Sequence, residues 1–170
     1  KGMQLLYNYL KGLGHERISY LSTSIEAIDE FDIRYKNLMD ICPQKTASYI
    51  SENAFFVENY SEKELTGVLH EIFHQKNRPT ALICSSDWLA IEIIEYAEQL
   101  KISIPEDISI VGFDNIFISN RINVPLTTVS FPLDKAADAI VRILFNSKTI
   151  KPIQTVIEPE LIIRQSAAKA

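Results

Sequence analysis

Two periods of apolar residues alternate along this chain, and their alternation predicts its elements. Over residues 2–13, Leu5, Leu6, Tyr9, Leu10 and Leu13 recur at helical spacing, and Gly14 follows as a cap. Residues 18–21 read as a strand, and residues 30–41 as a helix with Phe31, Tyr35, Leu38 and Met39 on one side. A short strand is expected at 48–50, with 54–57 joining it or the loop that follows. Ser61 and Glu64 match a capping box, and Tyr60 and Leu65 are spaced as a hydrophobic staple, so a helix opens there and runs to about Gln75. Residues 80–84 form a buried strand. Asp87 or Ser86 caps a helix over 88–100, whose inward face is Ala90, Ile93, Ile94, Ala97 and Leu100. The near-continuous apolar run 108–113 is the kind of strand that a parallel sheet covers on both faces. A strand near 127–129 leads through Pro132, a favoured first helical residue, into a helix over 133–145. Strands are expected last at about 154–157 and 160–163.

Strand and helix alternate at the spacing of right-handed βαβ units, which predicts an α/β fold with a doubly wound parallel sheet. Ligands in such sheets bind beyond the carboxyl ends of the strands. Those ends fall here at 21–24, 50–60, 84–87 and 113–115, and their polar residues become candidates on topology alone.

Composition narrows the function classes. The 170 residues suffice for one sizeable core or two small lobes. No apolar run approaches the roughly 20 residues that cross a bilayer, and no secretory leader is visible, so no membrane partner is expected. Net charge is −5 with no Lys/Arg cluster, whereas a nucleic-acid binder carries a basic face. The chain is not expected to hold DNA by itself. Two cysteines, Cys42 and Cys84, make neither a disulfide framework nor a metal cluster, which fits a reducing cytoplasm. With 5 glycines there is no phosphate-cradling loop, and no nucleophile constellation is present. Neither an enzyme nor a cofactor is implied.

Several separated pieces resemble a known family. They are Gly14-His15-Glu16-Arg17-Ile18 after a helix, Arg34 within the next, and Arg78-Pro79-Thr80-Ala81 before a strand. Then come Ile104-Pro105-Glu106-Asp107-Ile108-Ser109-Ile110-Val111-Gly112-Phe113-Asp114-Asn115 and Pro125-Leu126-Thr127-Thr128-Val129. The close is Glu158-Pro159-Glu160-Leu161-Ile162-Ile163-Arg164-Gln165-Ser166. In order and spacing these pieces resemble the effector-binding core of lactose-repressor-type (LacI/GalR) transcription regulators, over nearly the whole chain. The resemblance implies a periplasmic-binding-protein-like fold of type I, with two α/β lobes and a small effector between them. Residues 1–22 and 128–148 are then expected in a partial N-terminal lobe, and 23–127 with 149–165 in the C-terminal lobe. The opening strands of the first lobe and the helix-turn-helix head would lie outside this chain, making it a core truncated at its N-terminus. The resemblance further implies a cytoplasmic homodimer that senses a sugar or related metabolite and reaches DNA only through that head.

Six residues are carried over as effector contacts. Asp114 is the principal one, because the family uses the Asp of its Gly-aromatic-Asp motif to accept hydrogen bonds from effector hydroxyls; the alternative is a cap of the following turn. Arg34 matches the family's effector-binding Arg, although the Gly and aromatic that normally follow are replaced by Asn37 and Leu38. A guanidinium fork suits ring oxygens and carboxylates, while a plain surface Arg is the alternative. Tyr60 falls where several relatives stack an aromatic on the ligand, in competition with its role in the staple. Ser86 and Asp87 replace the family's Asn-Asp; Ser86 would donate to a hydroxyl, and Asp87 suits a helix cap better than a ligand contact. Phe131, on a lobe-crossing segment, completes the set. Trp88 follows at the expected cleft mouth, and Glu92 replaces a usual Gly.

Two rival readings remain. His70-Glu71-Ile72-Phe73-His74 is a literal H-E-x-x-H, the signature of a zinc protease helix. At ~100° per residue the apolar face of this helix centres near Leu65, and His70 and His74 fall roughly 140° and 180° away, toward solvent. Glu92, Glu95 and Glu98 lie across a buried strand from them. The other rival is a transport or chemoreceptor binding protein on the same fold, which lacks a DNA head.

Overall fold

In the computed structural model, residues 1–23, 33–58, 60–146 and 155–170 are described. Four parallel strands, β1 (Ile18–Thr23), β2 (Ala54–Val57), β3 (Ala81–Cys84) and β4 (Ser109–Val111), form the central sheet in the order β2-β1-β3-β4. Strand β3 and the first five residues of β1 are buried, so both read as continuous apolar runs rather than alternations. Their side chains still alternate in direction. Ile18, Tyr20, Ala81, Ile83 and Val111 enter one core, while Leu21, Leu82, Cys84 and Ile110 enter the other. Helices α1 (Gly2–Gly12), α2 (Ile33–Ile41) and α3 (Gln44–Glu52) supply the first core, and α4 (Glu62–His74) and α5 (Asp87–Gln99) the second. Helices on both faces make the sheet doubly wound, as expected.

A bridge between Val111 and Thr127 sets the chain beside β4 before β5 (Thr128–Ser130) pairs antiparallel with β6 (Glu160–Ile162). This two-stranded ribbon packs on α1. Between β4 and β5 lies a short 3-10 turn, Phe117–Asn120, and after β5 comes α6 (Leu133–Asn146). Among the described residues no helix is long and apolar enough to cross a membrane.

Local chemistry fixes the element ends. Gly14, at φ +92°, lets the chain turn left-handed after α1; its N–H reaches Lys11 O, and His15 N–H reaches Leu10 O, the paired bonds of a Schellman stop. Ser61 caps α4 by accepting from Glu64 N–H, and Ser86 caps α5 by accepting from Leu89 N–H at 3.3 Å. Each such cap is worth ~1 kcal/mol.

Several expectations are corrected. Residues 48–50 are not a strand but the middle of α3, where Thr46 and Ile50 are buried four apart and Pro43 precedes the first turn. The buried seam of α1 is Met3, Leu6, Tyr7 and Leu10, turned by about one position from the expected stripe. Strand β4 stops at Val111, because Gly112 and the residues after it leave the sheet toward Asp87 and β5. Most consequentially, residues 1–22 do not belong to a separate partial lobe. β1 pairs with both β2 and β3 at the centre of the sheet, and α1 shares the core of α2 and α3. Of the two expected closing strands, 160–162 is present and 155–157 is irregular; residue 154 lies outside the described residues. The start of the predicted helix at 30–32, including Phe31, lies outside them too.

Candidate functional site

Strand order β2-β1-β3-β4 reverses direction between β1 and β3, and the crevice beyond their carboxyl ends is where such sheets take ligands. Arg34 lies across that point. Its Nη1 donates to the carbonyl of Ser85, just past β3, at 2.5 Å. Its Nη2 donates to Asp114 Oδ1, past the end of β4, at 3.0 Å, and its Cζ sits 4.3 Å above the Phe113 ring. The two principal sequence candidates are therefore in direct contact, each roughly two-fifths exposed. Burial pushes the Asp114 carboxyl above the usual carboxylate range, against the opposing pull of the Arg34 charge and hydrogen bond. Its ionised form is held at some cost, and a hydroxyl donor would relieve that cost.

Asp114 and Asn115 stand at φ +114° and +53°, two successive non-glycine residues in left-handed territory. Strain of this kind persists only where the surroundings over-determine it. Here Asp114 N–H donates to Val129 O at 2.9 Å, and Asp114 bridges to Ser130. The Asn115 amide uses both ends: Nδ2 donates to Ser130 Oγ at 3.2 Å, and Oδ1 accepts from Arg164 Nη2 at 2.6 Å. Arg164 Nη1 also donates to Leu126 O at 2.7 Å. The turn that presents Asp114 is thus fastened to both β5 and the closing segment.

Asp87 has a different task from the expected one. It is fully buried, caps nothing and faces no opening. Its Oδ1 accepts from the Thr128 hydroxyl at 2.5 Å and its Oδ2 from Ile116 N–H at 2.9 Å, tying α5 to β5 and to the turn after Asp114. The cap role falls to Ser86, whose half-buried hydroxyl lies one residue from the carbonyl that Arg34 engages. Tyr60 is 45% exposed ahead of α4, Trp88 57% exposed in the first turn of α5, and Phe131 46% exposed one residue past the bridge partner of Asp114. These three aromatics offer open faces around the carboxyl ends of the strands. The Ser85 carbonyl, the Phe113 platform and the Arg164–Asn115–Ser130 fastening carried no predicted role. Arg164 stood only inside the closing segment, and nothing in its local pattern marks the bond to Asn115. A hollow of about 410 Å³, lined by Ile94, Glu98, Ser103 and Asn123 among others, lies toward the amino end of β4 and away from these groups.

A family model described as a periplasmic binding protein-like domain matches residues 7–167. The chain belongs to that family. It is 32% identical over 176 residues to the HTH-type transcriptional repressor PurR of Vibrio vulnificus, covering 99% of this chain and 51% of that protein. It is 29% identical over 178 residues to the arabinose metabolism transcriptional repressor of Geobacillus stearothermophilus, covering 98% and 47%. The chain thus spans about half the length of the curated relatives it matches. Among solved structures, a LacI family regulator from Lactobacillus casei with bound sucrose superposes with a TM-score of 0.71 at 24% identity, over 97% of this chain and 62% of that one. One from Enterococcus faecium with bound ribose gives 0.71 at 22% identity, over 99% and 63%. At that identity the structural likeness speaks for the fold alone.

Proposed function

We propose that this chain is the effector-binding core of a LacI-type transcription regulator and that its effector is a neutral sugar, bound over the carboxyl ends of β1, β3 and β4. The observation that carries the reading is the contact of Arg34 with Asp114 at the topological switch point. A vicinal diol matches that pair: one hydroxyl donates to the Asp114 carboxylate, and a neighbouring oxygen accepts from Arg34. The raised Asp114 carboxyl argues for a neutral donor, because an anionic ligand would add a like charge to a carboxylate already short of solvation. Tyr60, Trp88 and Phe131 supply apolar faces for the flat side of a sugar ring. Support also comes from the relatives with bound ribose and sucrose and from the arabinose repressor.

The protein works in the cytoplasm as a homodimer without catalysis. Its effector shifts an equilibrium between two arrangements by binding one better than the other. With a net charge of −5, this chain leaves DNA contact to a head domain outside its 170 residues. The test is a thermal-shift screen of ribose, arabinose, glucose, sucrose and nucleobases on wild type and on Asp114→Ala. A sugar should raise Tm in wild type and fail to do so in the variant. Stabilisation by nucleobases alone, or a sugar response that survives in Asp114→Ala, would overturn the assignment.

A further inference from the structure

His70 and His74 take no part in the cleft, and we propose that they form a two-imidazole surface site on α4 for a borderline divalent cation, Cu²⁺ ahead of Ni²⁺ and Zn²⁺. Both side chains are exposed on the face opposite the buried seam of Leu65, Val68, Leu69 and Ile72. Residues four apart on a helix are neighbours, and the two ring centroids stand 5.9 Å apart. His74 Nδ1 lies 2.7 Å from His70 O, a carbonyl that can only accept. The proton of a neutral His74 ring therefore resides on Nδ1, and Nε2 keeps its lone pair. An outer hydrogen bond of this sort is what orients a metal-bound imidazole and sets its tautomer. His74 is also the last residue of α4, where the carboxyl end of the helix carries partial negative charge and favours a cation.

The rest of the H-E-x-x-H pattern adds no catalysis. Glu71 is rotated about 100° from His70, and among the described residues no group of three or more His, Cys, Asp or Glu can hold a metal ion. Water would fill the remaining positions. The ion would act as a clip across the last turn of α4, and affinity should follow the usual divalent order for nitrogen ligands.

Calorimetric titration of the chain with copper, nickel and zinc chloride tests the site. One cation should bind per chain, tightest for copper. His70→Ala and His74→Ala should each weaken binding about 100-fold, because the second imidazole then no longer binds intramolecularly. Both positions are exposed, so helical circular dichroism should be unchanged. Gly67 is exposed, and a Cβ there meets nothing within 4 Å. Gly67→His in the His74→Ala background restores a pair three apart and should recover binding, whereas Glu71→His should not. No bound cation in wild type, or a single-imidazole variant that binds as tightly as wild type, would overturn the proposal.

Discussion

A methyl group added at Gly112 should destabilise this protein, while the same change at Gly67 should stabilise it. An ideal Cβ on Gly112 would overlap Asp87 Oδ1 and sit 2.8 Å from Leu126 Cδ2 and 3.3 Å from Asp87 Cα. Asp87 and Leu126 are both fully buried, so neither can swing into solvent. Overpacking of this kind costs ~1–3 kcal/mol. Displacing Oδ1 also strands the Thr128 hydroxyl, at a further ~1–3 kcal/mol. Taking about 3 kcal/mol for the two and a urea dependence of ~2 kcal/mol per molar, the unfolding midpoint of Gly112→Ala falls by ~1.5 M. At Gly67, inside α4 and facing solvent, alanine gains ~1 kcal/mol of helix propensity, so the midpoint rises by ~0.5 M. Urea unfolding followed by circular dichroism measures both. A double-mutant cycle isolates the cause: Asp87→Ala opens room for the methyl, so Gly112→Ala with Asp87→Ala should cost at least ~1 kcal/mol less than the sum of the singles. Additivity in that cycle, or a Gly112→Ala midpoint equal to wild type, would refute the claim that Asp87 fills the space beside Gly112.

Three further outcomes follow from buried polar groups. Burial lowers His15 below the ordinary imidazole value, against the hydrogen bond to Ala168 that opposes it. Wild type should therefore lose stability as pH falls from ~6.5 toward that lowered value, and His15→Gln should lack this slope in urea titrations. Burial raises the Asp87 carboxyl despite its bonds from Thr128 and Ile116, so its contribution is fully present below the usual carboxylate range and shrinks as pH climbs to the raised value. The stability of wild type minus that of Asp87→Asn should accordingly decline with pH across that window, and a rise would contradict the assignment. Arg164→Met strands Leu126 O and Asn115 Oδ1 and should cost roughly 2–3 kcal/mol, with faster amide exchange at 114–116. Arg164→Lys, having lost the planar fork, should recover only part of that.

What the sequence discloses depends on how local the cause is. Strands β3 and β4 and helices α4 and α5 are legible because apolar runs and caps act within a dozen residues. Residues 48–50 mislead because a nine-residue helix shows only two buried positions, too few to reveal its period. The lobe assignment of 1–22 fails for a different reason: β1 is defined by its partners at Ala54–Val57 and Ala81–Cys84, and pairing leaves no mark in β1 itself. At the site, Asp114 and Arg34 stand out by motif, yet they lie 80 positions apart and their contact is a property of the fold. Asp87 shows the limit most clearly. A carboxylate at the start of a helix reads as a cap, and only tertiary structure reveals it as a buried tie to β5.

The pairing of Arg34 with Asp114 sets a threshold for any molecule that would replace it. A half-exposed ion pair is worth up to ~1 kcal/mol, which an incoming guest must outbid before its own contacts count, raising its dissociation constant by as much as about fivefold. Salt weakens such a pair and would lower that threshold. A site whose own groups pair in this way would stay silent to traces of a guest and answer to abundance.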